Sequence, residues 1–156
     1  MEVRNVPHIV DLGDKEIIEL LTRINFGHLG LCRRNRPYVV PIHFAYHDPK
    51  IFFYTTEGLK TEIIDENPTV CLQVEDITDR QDWQSVIITG PAERLTAESD
   101  IKTAMGLIKA VNPQLSPAWS VRWLDDWVRS NVEAVYRIHP ESTTGRKTLK
   151  KIKGDV

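Results

Sequence analysis

Short runs of alternating apolar and polar residues, separated by brief polar connections, constrain the fold of this chain more than any other feature. Six such runs are present: "HLGLC", "PYVVPIHFAY", "IFFYTT", "TVCLQVE", "WQSVIITGPAERL" and "VEAVYRI". A period of two is typical of strands with one buried face. Most connections are too short for the crossover helices that parallel strands need. The pattern therefore predicts a mainly β, α+β fold, a six-stranded antiparallel barrel with peripheral helices.

Helical periodicity occurs at four places between these runs. Helices are predicted at residues 14–24, between Gly58 and Asn67, at residues 97–111 and from residue 116 onward. Asp14 and Ser116 are the expected N-caps of the first and last helix. In the strand "WQSVIITGPAERL", Gly90-Pro91 predicts a bulge or bend.

The bulk composition describes one ordinary domain spanning residues 1–156. The chain has 41% hydrophobic and 27% charged residues and a net charge of −2, which gives no general attraction to nucleic acid or to an anionic membrane. Its two cysteines form no CxxC pair, and no apolar stretch resembles a leader or a membrane span. We expect a cytoplasmic protein whose basic end, residues 146–156, is a flexible tail.

The run "PYVVPIHFAY" carries two prolines inside a strand. Its even positions form one large apolar face, whereas its odd positions include Pro41 and His43. Proline cannot donate to a neighbouring strand, which predicts an edge strand. Such an edge is either simply protected by proline or offers unpaired backbone groups to a planar heterocycle. His43 and His47 lie about 13 Å apart in a regular strand, so we predict no metal site.

The segment "YTTEGLKTEIIDENP" has the chemistry of an anion site. The amides of a first helical turn lack backbone partners and attract anions. Thr55 and Thr56 add neutral donors, and Lys60 adds a charge suited to phosphate. The alternative is a helix capped by Thr56 with Lys60 in solvent. Neither GxGxxG nor GxxxxGK[ST] occurs, so a Rossmann or P-loop nucleotide site is not supported.

Three tryptophans follow one another at helical spacing near the end of the chain. Trp119, Trp123 and Trp127 stand at i, i+4 and i+8, which makes a wide apolar stripe. The stripe fits packing in the core or in a dimer, or a lid over a pocket that selects flat aromatic molecules.

The order of four segments resembles a known family. "RPYVVPIHFAY", "IFFYTTEGLK", "IIDENPTVCLQVE" and "WQSVIITGPAERL" are similar to the FMN-binding split-barrel family related to pyridoxamine 5′-phosphate oxidase. The resemblance is nearest to the smaller members that include nitroimidazole-resistance proteins. It covers residues 26–95 and, more loosely, "VYRIHPESTTGRK". It implies a split barrel and a homodimer with FMN at the subunit interface.

The resemblance also implies roles for particular residues. Val40, Pro41, Ile42 and His43 would lie along the flavin ring, and Tyr54, Thr55 and Thr56 would hold the ring and the ribityl chain. Lys60 and Thr61 would bind the phosphate. Trp83, Ser85 and Val86 would reach the flavin from the partner subunit.

Two departures from the family pattern concern the substrate. Nitroimidazole-resistance members have a histidine where this chain has Tyr54, which argues against nitroimidazole reduction. The segment "YRIHPESTTGR" lacks the C-terminal His-Asp-Arg signature of the vitamin B6 oxidase, which argues against pyridoxamine phosphate as substrate.

Three functions follow from these observations. The first is an FMN-dependent oxidoreductase that takes electrons from a reduced nicotinamide donor and passes them to a small aromatic or nitro-type acceptor, with His43 or Tyr54 as the proton source. The second is a non-catalytic flavin-binding protein. The third is a haem or deazaflavin protein on a similar barrel, with His28, His43 and His139 as candidate haem ligands.

Overall fold

The computed structural model describes residues 8–113 and 133–149. The strands in these ranges are β1 (His8–Asp11), β2 (Phe26–Arg33), β3 (Arg36–His43), β4 (Ala45–His47), β5 (Lys50–Thr56), β6 (Thr69–Asp79), β7 (Asp82–Arg94), β8 (Glu133–Ile138) and β9 (Ser142–Leu149). The helices are α1 (Asp14–Arg23), α2 (Leu59–Glu66) and α3 (Glu98–Val111). The predicted helix from residue 116 and the tryptophan stripe lie outside the described residues.

All strand pairs are antiparallel, in the order β3-β2-β6-β7-β8-β5-β4, with β9 pairing to both β7 and β1. The sheet curls into an open barrel, because β3 and β5 have Cα atoms within 8 Å of each other but form no strand pair. This confirms the mainly β, antiparallel barrel that the alternation predicts and the split barrel that the resemblance implies. The described part contains nine strands instead of six.

The predicted long strand "PYVVPIHFAY" is broken at one residue. β3 ends at His43 and β4 begins at Ala45. The intervening Phe44 is fully buried in the barrel core, and its N–H donates to the carbonyl of Asn25 at 3.0 Å. After Phe44, β4 pairs with β5 instead of β2.

The prediction of a flexible tail from residue 146 is wrong for residues 146–149. These residues belong to β9, which lies between β1 and β7. The backbone N–H of Trp83 donates to the hydroxyl of Thr148 at 3.0 Å, which fastens β9 to β7 through a buried side chain. Residues 150–156 lie outside the described ranges.

The apolar residues form two buried clusters. The larger fills the barrel and includes Leu29, Phe53, Leu72 and the apolar faces of α1 and α2. The smaller lies between α3 and the outer face of β4, β5 and β8. The N-cap of α1 is Gly13 instead of the predicted Asp14, because the carboxylate of Glu16 accepts a hydrogen bond from the N–H of Gly13 at 3.2 Å.

At Gly90-Pro91, β7 exchanges one partner strand for another. Thr89 is the last β7 residue paired with β9, and Ala92 is the first paired with β8. The connection from β8 to β9 crosses directly over Gly90, where an added Cβ would lie 2.0 Å from the carbonyl oxygen of His139. Glycine is required here by this close approach. β6 stays paired with β7 through Gly90, so of the predicted bulge or bend the bulge is absent.

Within the described residues, no helix combines the length and apolar character needed to cross a membrane. Cys32 and Cys71 are both free thiols.

Candidate functional site

The free edge of β3 forms one side of the split in the barrel. In the part of the chain that the structure describes, β3 pairs only with β2, as its prolines predict. In this register, the pair of His28 and Pro41 lies three positions along the ladder from the hydrogen-bonded pair of Asn25 and Phe44. Hydrogen-bonded and non-hydrogen-bonded pairs alternate along an antiparallel ladder.

This alternation divides the residues of β3 into two sets. Val40 and Ile42 direct their backbone groups toward β2 and their side chains into the barrel core. Val39, Pro41 and His43 direct their backbone groups away from β2, toward the split. Two N–H groups, those of Val39 and His43, are therefore available along this edge, together with the carbonyls of the same set.

The opposite side of the split is the end of β5. β4 pairs only with residues Lys50, Ile51 and Phe52, so from Phe53 to Thr56 the strand has β8 on one side and no described strand on the other. α2 begins at Leu59, directly after this unpaired edge. The N-terminus of α2 therefore lies at one end of the split.

The first turn of α2 has donors without partners. The described residues offer no acceptor to the amides of Leu59, Lys60 and Thr61. Thr61 is buried, and its hydroxyl accepts from the N–H of Gly58 at 3.0 Å and donates to the carbonyl of Gly58 at 2.9 Å. The proton of this hydroxyl is engaged, which gives Thr61 the role of a cap that shapes the loop.

Two side chains beside these amides are free to bind a ligand. The ammonium group of Lys60 and the hydroxyl of Thr56 have no hydrogen bond or ion pair with any described residue. The hydroxyl of Thr55 is buried and reaches only the carbonyl of Thr56, at 3.5 Å. The donor set of half-buried hydroxyl, free amides and ammonium suits a phosphate monoester.

A carboxylate at the same turn is neutralised by a distant arginine. Glu57 precedes α2 and forms an ion pair with Arg94 of β7. The hydrogen bond that Arg94 donates to the carboxylate of Glu57 raises the pKa of Arg94. Because Arg94 balances the charge of Glu57, the turn keeps its attraction for anions.

Tyr54 lies on the outer face of β5. Its ring packs partly buried against the cluster under α3. Burial raises the pKa of the Tyr54 hydroxyl, and the nearby carboxylate of Glu133 raises it further. The phenol is therefore protonated and weakly acidic at neutral pH.

His43 is exposed at the end of β3 and contacts an aromatic neighbour. Its ring lies edge-on to Phe26, with ring centroids 5.2 Å apart, and Phe26 contacts His28 in the same way at 5.7 Å. His43 has no carboxylate partner among the described residues. His139 belongs to a separate group, because it lies against Lys50 and Glu93.

The structure does not bring Trp83, Ser85 and Val86 to the split of the same chain. They lie on β7, three strands away from β3 across the sheet. Val86 is fully buried in the core, and the hydroxyl of Ser85 accepts from the side chain of Gln73 at 3.2 Å. Within residues 8–113 and 133–149, no group of three or more His, Cys, Asp or Glu side chains is placed to hold a metal ion.

The amino-acid sequence matches the family described as pyridoxamine 5′-phosphate oxidase over residues 13–147. The chain belongs to the pyridoxamine 5′-phosphate oxidase family. A curated relative, the uncharacterised protein RA0666 of Rhizobium meliloti (strain 1021), is 32% identical over 73 residues, which cover 47% of this chain and 48% of the relative. The match therefore spans about half the length of that relative.

Two solved structures share the fold of this family member. A FAD-binding protein from Mesorhizobium loti is 25% identical with a TM-score of 0.78, and the alignment covers 93% of this chain and 100% of the other. A candidate 5-nitroimidazole antibiotic resistance protein from Bacteroides thetaiotaomicron is 20% identical with a TM-score of 0.70, covering 92% of this chain and 90% of the other. At 20% identity, the similarity to the Bacteroides thetaiotaomicron protein supports only a shared fold.

Sequence reasoning missed two residues of the candidate site. Val39 could have been found, because it stands at an odd position of the strand, as both prolines do. Its backbone groups therefore face the free edge. Arg94 has no local signal, since it stands 37 residues from Glu57 in the sequence.

Proposed function

We propose that the protein is an FMN-dependent oxidoreductase with the flavin in the split between β3 and β5. The observation that carries this proposal is the combination of unpartnered first-turn amides and the free Lys60 with the unpaired edge of β3. The amides and Lys60 suit a phosphate. The unpaired edge of β3 suits the donor and acceptor atoms of a planar heterocyclic ring. Family membership supports the same cofactor class.

The chain's own residues would hold and orient the flavin, which supplies the electron chemistry when bound. The N–H groups of Val39 and His43 would donate to ring acceptors, and the carbonyl of Pro41 would accept from a ring donor. Thr55 and Thr56 would contact the ribityl chain, and Lys60 the phosphate. Thr61 would act through the loop that it caps.

The proposed reaction passes electrons from a reduced nicotinamide donor to a small aromatic or nitro-type acceptor. His43 is the better candidate for proton donor, because it is exposed at the split and its ring is oriented by Phe26. Tyr54 is disfavoured, since burial raises the pKa of its hydroxyl.

We also propose a homodimer formed through the outer face of β3, β2, β6, β7 and β9. The strand register places Pro41, His28, Gln73, Ile87 and Thr144 in one row across this face. The described helices pack in the barrel or on β4, β5 and β8, so none of them covers this face. Val39 is 64% exposed, Ile87 46% and Phe26 44%. A second copy on this face would also bring the partner's β7 toward the flavin.

The dimer predicts a clear effect of Ile87→Glu. A carboxylate at the centre of this face would be buried without a partner in the dimer, so we expect a monomer at micromolar concentration in sedimentation equilibrium. Val111→Glu is the matched control, because Val111 is 40% exposed on α3 and lies away from the face. It should remain dimeric. A monomeric wild type, or a dimer that tolerates Ile87→Glu, would contradict the proposal.

A non-catalytic flavin-binding protein is the second candidate. The observation that favours it is the scarcity of paired acid and base groups at the split, where His43 has no carboxylate partner among described residues. Such a protein would bind flavin as tightly but would not turn over.

Stopped-flow kinetics separate the two candidates. The flavin-loaded protein is mixed with a reduced nicotinamide donor, and the bleaching of the flavin band is followed before and after adding a nitroaromatic acceptor. The enzyme proposal predicts reduction by the donor and reoxidation that depends on acceptor concentration under anaerobic conditions. Reoxidation by oxygen only, with every acceptor inert, would favour the binding protein. His43→Gln should slow acceptor-dependent reoxidation more than flavin reduction.

A further inference from the structure

A basic cleft adjoins the split at the end where α2 begins. It has a volume of about 550 Å³ and is lined by Arg33, Arg34, Arg36, Pro37, Tyr38, Leu59 and Ile63. A volume of this size falls within the range of about 300–1,000 Å³ that is typical of small-molecule pockets. The tight turn between β2 and β3, the first residues of β3 and the first turns of α2 meet here.

The arginines of the cleft differ in how they are paired. The Nε atoms of Arg33 and Arg34 lie 3.5 Å and 3.0 Å from the carboxylate of Glu66, and Nη1 of Arg33 lies 3.9 Å from Glu62. These contacts orient two guanidinium groups while leaving other N–H donors free. Arg36 is exposed and makes no ion pair with a described residue. The cleft therefore retains positive charge after its carboxylates are counted.

The turn geometry holds these arginines together at the cleft. Arg34 and Asn35 have φ angles of 51° and 62°, which is the left-handed conformation of a two-residue hairpin turn. The side-chain amide of Asn67 donates to the carbonyl of Cys32 at 2.9 Å and ties the end of α2 to the same hairpin. This contact fixes the hairpin relative to the C-terminal end of α2.

The cleft lies beside the proposed phosphate site at the first turn of α2. Leu59, which lines the cleft, directly precedes Lys60 in the first turn of α2. A ligand whose phosphate lies at that turn could extend a second phosphate toward Arg36. Tyr38 and Leu59 offer an aromatic ring and an apolar surface to a base beyond it.

We propose that this cleft binds the adenosine diphosphate group of a dinucleotide. This inference rests on the proposed function, because the flavin phosphate site sets where the group begins. The same group occurs in FAD, as cofactor, and in a reduced nicotinamide dinucleotide, as electron donor. Arg36 binds the second phosphate, and Tyr38 lies beside the adenine.

Isothermal titration with ADP tests the cleft directly. The protein is titrated after any bound flavin has been removed, so that the turn of α2 at which the first phosphate would lie is free. We expect ADP to bind, Arg36→Gln to weaken its binding about tenfold or more, and Arg36→Lys to weaken it less, because lysine keeps the charge but loses the fork of donors. Lys102→Gln on α3 removes the same charge far from the cleft and should leave ADP binding unchanged. Absence of ADP binding, or equal weakening by Arg36→Gln and Lys102→Gln, would overturn the proposal.

Two further measurements identify the source of the group. If FAD is the ligand, FAD binds more tightly than FMN in the wild type, and Arg36→Gln removes that difference. If the donor is the ligand, the KM for reduced nicotinamide dinucleotide is lower than that for reduced nicotinamide mononucleotide in the riboflavin-loaded protein, in which the phosphate position at α2 is free, and Arg36→Gln removes that difference. If FMN binds but neither difference is found, the cleft inference fails while the proposed function stands. If no flavin binds, the proposed function is contradicted. The ADP titration would still show whether the cleft binds an adenosine diphosphate group.

Discussion

Replacement of Lys60 by alanine should weaken FMN binding by about 10- to 150-fold and leave riboflavin binding nearly unchanged. A hydrogen bond to a charged group contributes about 1.5–3 kcal/mol, and each 1.4 kcal/mol corresponds to about tenfold in Kd. Lys60 has no other described partner to keep it from the phosphate. Riboflavin lacks the phosphate, so the ratio of the two affinities isolates this contact. Quenching of flavin fluorescence measures both.

The matched control for Lys60→Ala is Lys102→Ala. Lys102 lies exposed on α3, which packs on the other side of β5. Its replacement changes the net charge equally and should alter neither affinity. If Lys60→Ala lowers riboflavin affinity as much as FMN affinity, Lys60 stabilises the loop and does not bind the phosphate.

Gly90→Ala should be the most destabilising single methyl addition in the described part of the barrel. The new Cβ would lie 2.0 Å from the carbonyl oxygen of His139 and 2.9 Å from its carbonyl carbon, both of which are backbone atoms. The backbone cannot give way easily, because His139 and Glu141 donate to the carbonyls of Pro91 and Thr89 on either side. Overpacking typically costs about 1–3 kcal/mol, and we expect a loss of about 3 kcal/mol here. Urea denaturation followed by circular dichroism measures it.

Gly106→Ala provides the opposite expectation for the same chemical change. Gly106 lies inside α3, and an added Cβ would meet nothing within 4 Å. Alanine is favoured over glycine in a helix by about 0.8–1.0 kcal/mol, so this variant should be more stable than the wild type. A Gly90→Ala protein as stable as the wild type would show that the crossing over Gly90 is looser than described.

The fold could be predicted from the sequence wherever one face of a strand or helix is buried. Alternation and helical spacing located the six strand runs and the three helices of the described residues. β9 was missed because its sequence, "STTGRKTL", is polar on both faces and gains its place from pairing with β1 and β7. The break at Phe44 was missed because the alternation continues through it, although the chain turns there.

The candidate site could be predicted only in its local parts. The prolines of β3 and the threonine–lysine loop carry their chemistry within a few residues, so the edge and the helix N-terminus were both found. The cap formed by Thr61, the neutralisation of Glu57 by Arg94 and the cleft around Arg36 depend on approaches between distant segments. No sequence pattern encodes such approaches, and the segment "RRNRP" indicated only a polar turn.

Flavin titration of the wild-type protein tests the central claim most directly. The protein is stripped of any bound chromophore, titrated with FMN and riboflavin, and followed by the visible absorption and fluorescence of the flavin. We predict saturable binding of one FMN per chain, a shifted flavin band, and weaker binding of riboflavin because it lacks the phosphate. A protein that binds no flavin would contradict the account, and equal affinity for FMN and riboflavin would contradict the phosphate site at α2.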